Sequence, residues 1–453
     1  RPYLLDEQGA PWPLERGNPQ TRLILHGLGL NGSEPAFLYV LEHLAMTALE
    51  SGKKLRLARW HTIRNGIIYT SAGPHHVVRT GPDGVPVLVA NGTDDVLFAA
   101  DATIPKWEPA DPVRPSEVAA LCPPLEPPVE VPAYRPAVQE AFLQCWFAGL
   151  VAGIRPLPIL GLIGDCDGGK TTTARAIARA LRGSDAGVAT LGTRNPLGDL
   201  GATLTARPLA ALDNLDADVP SEIGDLLAAT ATGANIESRQ LYTDSTLLSR
   251  PAIAAVAVTS RTAAFAARAD ISERVLPLFT CQIRDTKRVA DDALMGEVDA
   301  NRDGLLSWGV IAASAMLAEA TNAPSGLPCR FQGFARLFWA RESLRGTPDN
   351  ADPALRALRA AQAISVTDGD PLLAAIATYF DQIVAPSSTT WQGTPADLAR
   401  DLDAAGANLP YLGGGKAVAR RLREGRRALE LVGLTLTESR QGNNTVFFVG
   451  RTP

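Results

Sequence analysis

The chain has 453 residues, of which 46% are hydrophobic and 20% charged, and its formal net charge at pH 7 is −5. This length suits two or three domains rather than one core, and the composition is typical of a soluble globular protein. No run approaches the ~20 uncharged apolar residues of a membrane span, and the acidic balance excludes a polycation that binds nucleic acid over its whole surface.

The five cysteines lie far apart at positions 122, 145, 166, 281 and 329. None forms a CxxC pair, so the sequence indicates neither a zinc site nor a disulfide framework, and we expect a cytoplasmic location. Because the chain starts at Arg1 without a methionine, we expect it to be a fragment, and the sequence leaves open whether an upstream domain precedes it.

Residues 1–103 begin with helical spacing in "SEPAFLYVLEHLAMTALESG" and continue with alternating segments broken by Asn-Gly and Asp-Gly. Such turns join short antiparallel strands, so we predict an N-terminal α+β accessory region. Residues 104–136 then hold ten prolines. Proline fixes φ and lacks a donor, which predicts a stiff linker or a wrapped arm.

Strands and helices alternate from 156 to 280, with near-continuous apolar strands such as "PILGLI", "GVATL" and "PAIAAVAVTS". Buried strands that alternate with helices predict a parallel α/β sheet, and we place this core at 137–288. Residues 289–367 are predicted to be helical. The last segment, 368–453, is predicted as three helices and two strands around a Gly-Asn turn, which is the outline of a winged helix.

The most specific motif is "GDCDGGKT" at 164–171, here called the glycine-rich loop, which matches G-x-x-x-x-G-K-[ST] in full. A strand precedes it and a helix follows, so backbone N–H groups and the helix N-terminus form a cradle for phosphate. The chain has only six lysines, so one at this position is unlikely to be accidental. The alternative is a strand-to-helix turn without a ligand.

We therefore predict an ATP site in which Lys170 reaches the β- and γ-phosphates and the Thr171 hydroxyl binds Mg²⁺. The predicted nucleotide-binding residues are Gly164, Asp165, Cys166, Asp167, Gly168, Gly169, Lys170, Thr171 and Thr172.

A second carboxylate follows the apolar strand in "RPLAALDN". Asp213 stands where a Walker B aspartate binds Mg²⁺, although an aspartate can also simply cap a strand end. The next residue is Asn214 rather than the glutamate of many motors, so Asp216, Asp218 and Glu222 remain candidates for the base that activates water.

Polar and basic residues follow the next strand. Ser260 is placed to sense the γ-phosphate, or its hydroxyl satisfies nearby backbone. Arg268 and Arg274 precede the last strand, where ring ATPases carry an arginine finger that acts on a neighbouring subunit; the alternative for either is a surface salt bridge.

Residues 416–451 hold eight basic residues against three acidic ones, a net charge of +5. Four of them, Lys416, Arg420, Arg423 and Arg427, share one helix face. A basic face on a winged helix predicts contact with DNA phosphates, and the alternatives are a solvated face or a protein-docking module.

The run from "GDCDGGKTT" through "PLAALDNLD", "SRQLYTD" and "AIAAVAVTS" to "ARADISERVLPL" resembles superfamily 3-like (D5-type) AAA+ replication helicases of phages and integrative elements. The resemblance covers roughly 135–320. It implies an AAA+ P-loop ATPase that works as a homo-oligomeric ring, expected to be a hexamer, on single-stranded or forked DNA. It also implies a primase–polymerase as an upstream domain or partner.

By this resemblance, Lys170 and Thr171 take the Walker A roles, Asp213 the Walker B role and Arg274 the finger role. The segment 236–250 takes the place of a hairpin that enters the central channel, where Arg239 and Arg250 would contact DNA. The family usually carries asparagine where this chain has Ser260.

The function predicted from these features is an ATP-dependent DNA helicase for replication of a mobile element, with ATP and Mg²⁺ as cofactors. One alternative is an AAA+ DNA-binding ATPase that remodels or loads a partner without unwinding. The other is a small-molecule kinase, which the C-terminal domain and the proline-rich arm disfavour.

Overall fold

The computed structural model describes the chain except for residues 1, 53–56, 102, 192–194, 217–219, 240–246, 267, 383–389, 408–413, 432, 442–443 and 452–453. Within the described residues the fold is mixed α/β, with one four-stranded parallel sheet, one two-stranded parallel sheet and several antiparallel sheets.

The N-terminal segment centres on a four-stranded antiparallel sheet in the order β4–β5–β6–β7. Its first turn is Asn65-Gly66, where both residues have positive φ (52° and 77°), as a tight hairpin turn requires. Ile68 and Val78 of this sheet belong to the same hydrophobic core as the parallel sheet. The elements are β1 (Tyr3–Leu5), β2 (Pro11–Pro13), α1 (Pro19–Gly27), α2 (Pro35–Ser51), β3 (Leu57–Ala58), β4 (His61–Arg64), β5 (Ile67–Ser71), β6 (His76–Thr80), β7 (Pro86–Ala90) and β8 (Leu97–Phe98).

The proline-rich segment lies along the rest of the protein as an arm. The Trp107 indole donates to the Ser71 carbonyl at 3.0 Å, and the Tyr134 hydroxyl donates to the Pro277 carbonyl at 2.8 Å. Both side chains are buried. Prolines have no N–H to donate to a sheet, and these aromatic anchors and scattered backbone bonds hold the arm in place.

The parallel sheet has the order β10–β13–β9–β14, and every residue of its three consecutive strands β10, β13 and β9 is buried. The predicted strand "GVATL" is reduced to a single bridge between Ala189 and Leu212. The elements are α3 (Pro136–Ala152), β9 (Ile159–Ile163), α4 (Lys170–Arg182), α5 (Pro196–Ala206), β10 (Leu209–Leu212), α6 (Ser221–Ala231), β11 (Asn235–Arg239), β12 (Leu247–Pro251), β13 (Ala255–Ser260), α7 (Ala269–Ser272) and β14 (Val275–Phe279).

Four helices follow the sheet: α8 (Asp291–Ala300), α9 (Arg302–Glu319), α10 (Gln332–Leu344) and α11 (Ala351–Gly369). Among the described residues, one segment, Arg302–Asn322, is long and apolar enough to cross a membrane by length and composition. Leu305, Leu306 and Val310 of that segment are buried in the main core, which is how a core helix of a folded domain behaves.

The C-terminal segment has its own hydrophobic cluster, which includes Leu372, Leu398, Leu422 and Phe447. Its sheet is antiparallel in the order β15–β17–β16, so the short strand β15 is an addition to the two strands expected from sequence. The elements are α12 (Pro371–Gln382), β15 (Thr390–Gly393), α13 (Pro395–Ala404), α14 (Gly415–Leu431), β16 (Leu434–Gln441) and β17 (Asn444–Arg451).

Candidate functional site

The glycine-rich loop leaves the buried strand β9 and enters α4 at Lys170. Gly164 has a φ of 150°, and a Cβ there would stand 2.2 Å from the Thr280 carbonyl oxygen, so only glycine fits. Asp167 also has positive φ, 64°, and its backbone carbonyl accepts from Ile283 N at 3.0 Å. The segment that follows β14 thus packs against the loop and forms a backbone hydrogen bond with it.

Lys170 folds over this loop. Its Nζ donates to the backbone carbonyls of Gly164 at 2.6 Å and Asp165 at 2.5 Å. The ammonium group therefore lies at the mouth of the loop, surrounded by oxygen acceptors that a phosphate group can replace.

Thr171, Asp213 and Thr259 meet beside the loop. The Thr171 hydroxyl donates to Asp213 Oδ1 at 2.8 Å, and the Thr259 hydroxyl donates to the same oxygen at 2.5 Å. Thr259 Oγ1 also accepts from Asn214 N at 3.0 Å. The two hydroxyls fix one carboxylate oxygen, so the carboxylate is oriented before any ligand arrives. The sequence predicted that Thr171 and Asp213 lie together, but it did not predict that Thr259 supports Asp213.

These groups line an open pocket of ≈ 560 Å³, which is within the usual size range of small-molecule sites. It lies at the carboxyl ends of the parallel strands, where ligands bind in open α/β sheets. Thr190 lies at its edge, next to the bridge residue Ala189, and was not expected from sequence. The lining residues are Cys166, Asp167, Gly168, Gly169, Lys170, Thr171, Thr172, Thr190, Asp213, Asn214, Thr259, Ser260 and Arg261.

Ser260 lies in the pocket wall but is only 1% exposed. Its hydroxyl lies 3.0 Å from both the Leu215 carbonyl oxygen and Asp216 Oδ1. These contacts engage the hydroxyl within the protein.

Asp216 is fully engaged as well. Its Oδ2 accepts from the Arg261 Nε at 2.9 Å. Burial alone would raise the pKa of Asp216, but the hydrogen bonds from Arg261 and Ser260 outweigh it and lower that pKa. A carboxylate held ionised in this way is a weak proton acceptor. Of the other candidate bases, Glu222 is exposed on α6, and Asp218 lies outside the described residues.

Arg274 lies at the amino-terminal ends of the strands of the parallel sheet, whereas the pocket lies at their carboxyl ends. It directly precedes β14, and its carbonyl accepts from the N–H of Ile159, the first residue of β9. Its side chain is 15% exposed and lies 3.5 Å from Asp270 Oδ2. Burial, together with the nearby Arg330, lowers the pKa of Arg274. Arg268, by contrast, forms an ion pair with Asp225 at 2.7 Å and another with Asp270.

The predicted DNA-binding residues lie on two other surfaces. Arg250 is exposed on β12, opposite Ile236 of β11. Lys416 and Arg420 are exposed on α14, whereas Arg423 donates to Glu438 at 2.9 Å and lies over the Phe447 ring. The side chains of Arg239 and Arg427, and the hairpin tip at 240–246, lie outside the described residues.

The comparison with protein families decides the family. The model for actinomycete integrative conjugative element replication proteins matches residues 129–360. The chain belongs to this family. The matched range contains the glycine-rich loop, the pocket and Arg274. No curated protein matches the chain in sequence.

Solved structures give distant likenesses. The SCCmec type IV Cch active helicase is 11% identical, with coverage of 97% of this chain and 87% of that one and a TM-score of 0.44. The apo C-terminal region of NrS-1 (305–718) is 10% identical, covers 85% and 96%, and has a TM-score of 0.32. Because these scores are low, the fold of this replication protein rests on its own geometry.

Proposed function

We propose that this replication protein is an ATP-hydrolysing DNA helicase of the superfamily 3-like (D5-type) AAA+ class. The observation that carries the proposal is the contact of Thr171 with Asp213 at 2.8 Å, beside Lys170, at the carboxyl edge of a parallel sheet. A hydroxyl, a carboxylate and an ammonium group in this arrangement match the needs of a Mg²⁺–triphosphate.

The donor set fits ATP with Mg²⁺. The Thr171 hydroxyl and Asp213 carboxylate are hard oxygen donors, which Mg²⁺ prefers, and the loop supplies backbone N–H groups. Bound Mg²⁺ neutralises charge that develops on the β- and γ-phosphates. Lys170 exchanges its loop carbonyls for phosphate oxygens, and Thr259 keeps Asp213 oriented.

The sheet supports the AAA+ assignment. The P-loop strand β9 lies between β13 and β14, with β10 beyond β13, and the Ala189 bridge adds a remnant of one more strand outside β10. The hairpin of β11 and β12 follows α6, where the resemblance places a channel hairpin.

The proposed assembly is a ring. Arg274 lies across the sheet from its own pocket, so in this proposal it completes the site of a neighbouring subunit. The C-terminal segment, with α14 and the β16–β17 hairpin, is proposed to be a winged helix that binds DNA. A partner-loading ATPase without unwinding activity would share these parts, and strand displacement separates the two functions.

The first prediction concerns Lys170. Lys170→Ala removes the charge that binds the phosphates, so we expect ATP hydrolysis to fall to background while circular dichroism and the melting temperature stay close to those of the parent. Lys106→Ala is the matched control, because Lys106 is an exposed lysine that pairs only with the nearby Glu108 among the described residues. Hydrolysis at the parent rate by the Lys170 variant would remove the basis of the proposal.

A further inference from the structure

Arg261 is a charged residue at the pocket that the proposed function leaves without a role. It follows β13, whose last residue Ser260 is in register with Ile163, the last residue of β9. Gly164 N donates to the Ser260 carbonyl at 3.2 Å. The backbone therefore delivers Arg261 to the same edge as the start of the glycine-rich loop, and its side chain lines the pocket.

Asp216 holds Arg261 by one side only. Its Oδ2 accepts from Arg261 Nε at 2.9 Å, and its Oδ1 accepts from the Arg261 backbone N–H and lies 3.0 Å from the Ser260 hydroxyl. Within the described part of the chain, the two terminal guanidinium nitrogens donate to no other group. The side chain is 60% exposed, so these nitrogens remain accessible from the pocket.

Arg261 lines the same pocket as the loop. The hydrogen bond to Asp216 is the main reason that the pKa of Arg261 is raised, and the Asp165 carboxylate of the loop raises it further. The guanidinium thus lies within electrostatic reach of the place where polyphosphate would bind. A planar guanidinium with two open nitrogens suits phosphate oxygens, which it can bind in a bidentate manner.

The position of Arg261, directly after β13, favours contact with the terminal phosphate of the nucleotide. Lys170 is placed for the β- and γ-phosphates, and Thr171 and Asp213 would hold Mg²⁺ beside them. Asp213 touches Thr259 on β13, two residues before Arg261. The outermost phosphate then lies nearest the end of β13, where Ser260 is turned inward and Arg261 is open.

We infer that Arg261 binds the γ-phosphate of ATP bound to its own subunit and that Asp216 is the positioning residue that aims it. This inference rests on the proposed ATP site. It gives the pocket a means to distinguish ATP from ADP, because ADP lacks the phosphate that Arg261 contacts.

The test is the ratio of ADP to ATP dissociation constants, measured by calorimetry with Mg²⁺ in the full chain. Arg261→Ala is expected to weaken ATP by ~10- to 100-fold, the range of one charge-assisted hydrogen-bonded contact, and ADP far less. Arg261→Lys keeps the charge but cannot bind a phosphate in a bidentate manner, so its affinity for ATP should lie between those of the parent and Arg261→Ala. The matched control is Arg288→Ala: Arg288 pairs with Asp167 of the loop at 2.9 Å but does not line the pocket, so ATP and ADP should shift together.

Asp216→Asn tests whether Asp216 positions Arg261 for nucleotide binding or only stabilises the fold. It should lower the ATP preference less than Arg261→Ala does, and the double variant should match Arg261→Ala, because positioning matters only while the arginine is present. If both single variants lower the melting temperature and leave the ratio unchanged, the pair is a structural ion pair and the inference is wrong. If the parent chain binds neither ATP nor ADP, both the proposed function and this inference are wrong. If Lys170→Ala loses nucleotide binding but Arg261→Ala keeps the parent ratio of ADP to ATP dissociation constants, the proposed ATP site stands and only the inference about Arg261 is wrong.

Discussion

At the scale of single residues, the position of Asp213 depends on Thr259. The Thr259 side chain is 2% exposed, and its hydroxyl links Asp213 Oδ1 to the backbone N–H of Asn214. Asn214 has a φ of 59°, in the left-handed region that is uncommon for residues other than glycine but that asparagine tolerates better than most. One buried hydroxyl therefore fixes both the carboxylate and the turn that carries it.

Thr259→Val tests this role, since valine keeps the shape and removes the hydroxyl. The Asn214 N–H loses its acceptor, so we expect a loss of ~1–3 kcal/mol in the free energy of unfolding. The less ordered Asp213 should also raise the Mg²⁺ concentration needed for half-maximal ATP hydrolysis. Thr259→Ser restores the hydroxyl and should recover most of the Mg²⁺ response. An unchanged Mg²⁺ requirement in the valine variant would show that Asp213 is oriented without Thr259.

The residues of the candidate site that could be predicted from the sequence belong to local sequence patterns. Lys170 and Thr171 come from a contiguous motif, and Asp213 from the end of an apolar strand, so each is visible in one stretch of chain. Thr259 and Arg261 reach the candidate site because the parallel sheet places β13 beside β9. The order of strands in a sheet cannot be predicted from local sequence patterns. The one available signal was a charged residue directly after a buried strand.

At the scale of elements, α14 has two chemically distinct faces. Val418, Leu422 and Leu429 are buried against the C-terminal core, while Lys416 and Arg420 are exposed. Arg423 is already paired with Glu438. Arg420 lies 3.8 Å from Glu424, but its side chain is 74% exposed. Lys416 and Arg420 are therefore the best candidates on this helix for contacts with DNA phosphates.

Lys416→Ala combined with Arg420→Ala should weaken DNA binding and reduce the slope of log K against log salt by about two, one released counterion for each lost phosphate contact. Fluorescence anisotropy over a salt series measures both quantities. Arg356→Ala is the matched control, because Arg356 is an exposed helical arginine on α11 that pairs with Asp352. Affinity and slope that stay at the parent values would favour a protein-docking role for this helix.

Elements with strong patterning were predictable, and marginal ones were not. Ile159–Ile163 and Ala255–Ser260 are buried apolar runs, and both form strands where the sequence predicted them. "GVATL" keeps one bridge, between Ala189 and Leu212. It includes Gly187 and Thr190, and its residues 187, 189 and 190 are exposed, so it gains less from burial than the other two strands. The four-residue strand β15 has too little periodicity to be recognised before its pairing with β17 is known.

At the scale of the whole molecule, the sheet separates the pocket from Arg274. The pocket lies at the carboxyl ends of the strands, and Arg274 lies at the opposite ends, roughly 16 Å away along a five-residue strand. In a head-to-tail association one surface of a subunit contacts a different surface of the next, and such contacts close into a ring when the rotation per subunit allows it. This is why the finger is proposed to act on a neighbour.

Mixing of two inactive variants tests the ring. Arg274→Ala should bind ATP nearly as the parent does but hydrolyse it ~10³-fold or more slowly, the range for a transition-state arginine. When it is mixed with Lys170→Ala, some interfaces combine a working loop with a working finger, and hydrolysis should partly return. Mixed rings that form but stay inactive would exclude action in trans by Arg274, and Arg268 would be tested in the same way.

The most direct measurement for the central claim is strand displacement on a fluorescently labelled DNA fork, with the parent chain and Lys170→Ala compared at equal DNA occupancy. Helicase action driven by the pocket predicts that the parent chain releases the displaced strand with ATP and Mg²⁺ but not with a non-hydrolysable analogue, and that Lys170→Ala releases none. A parent chain that hydrolyses ATP on the fork and leaves the duplex intact would contradict the helicase assignment and favour the partner-loading ATPase.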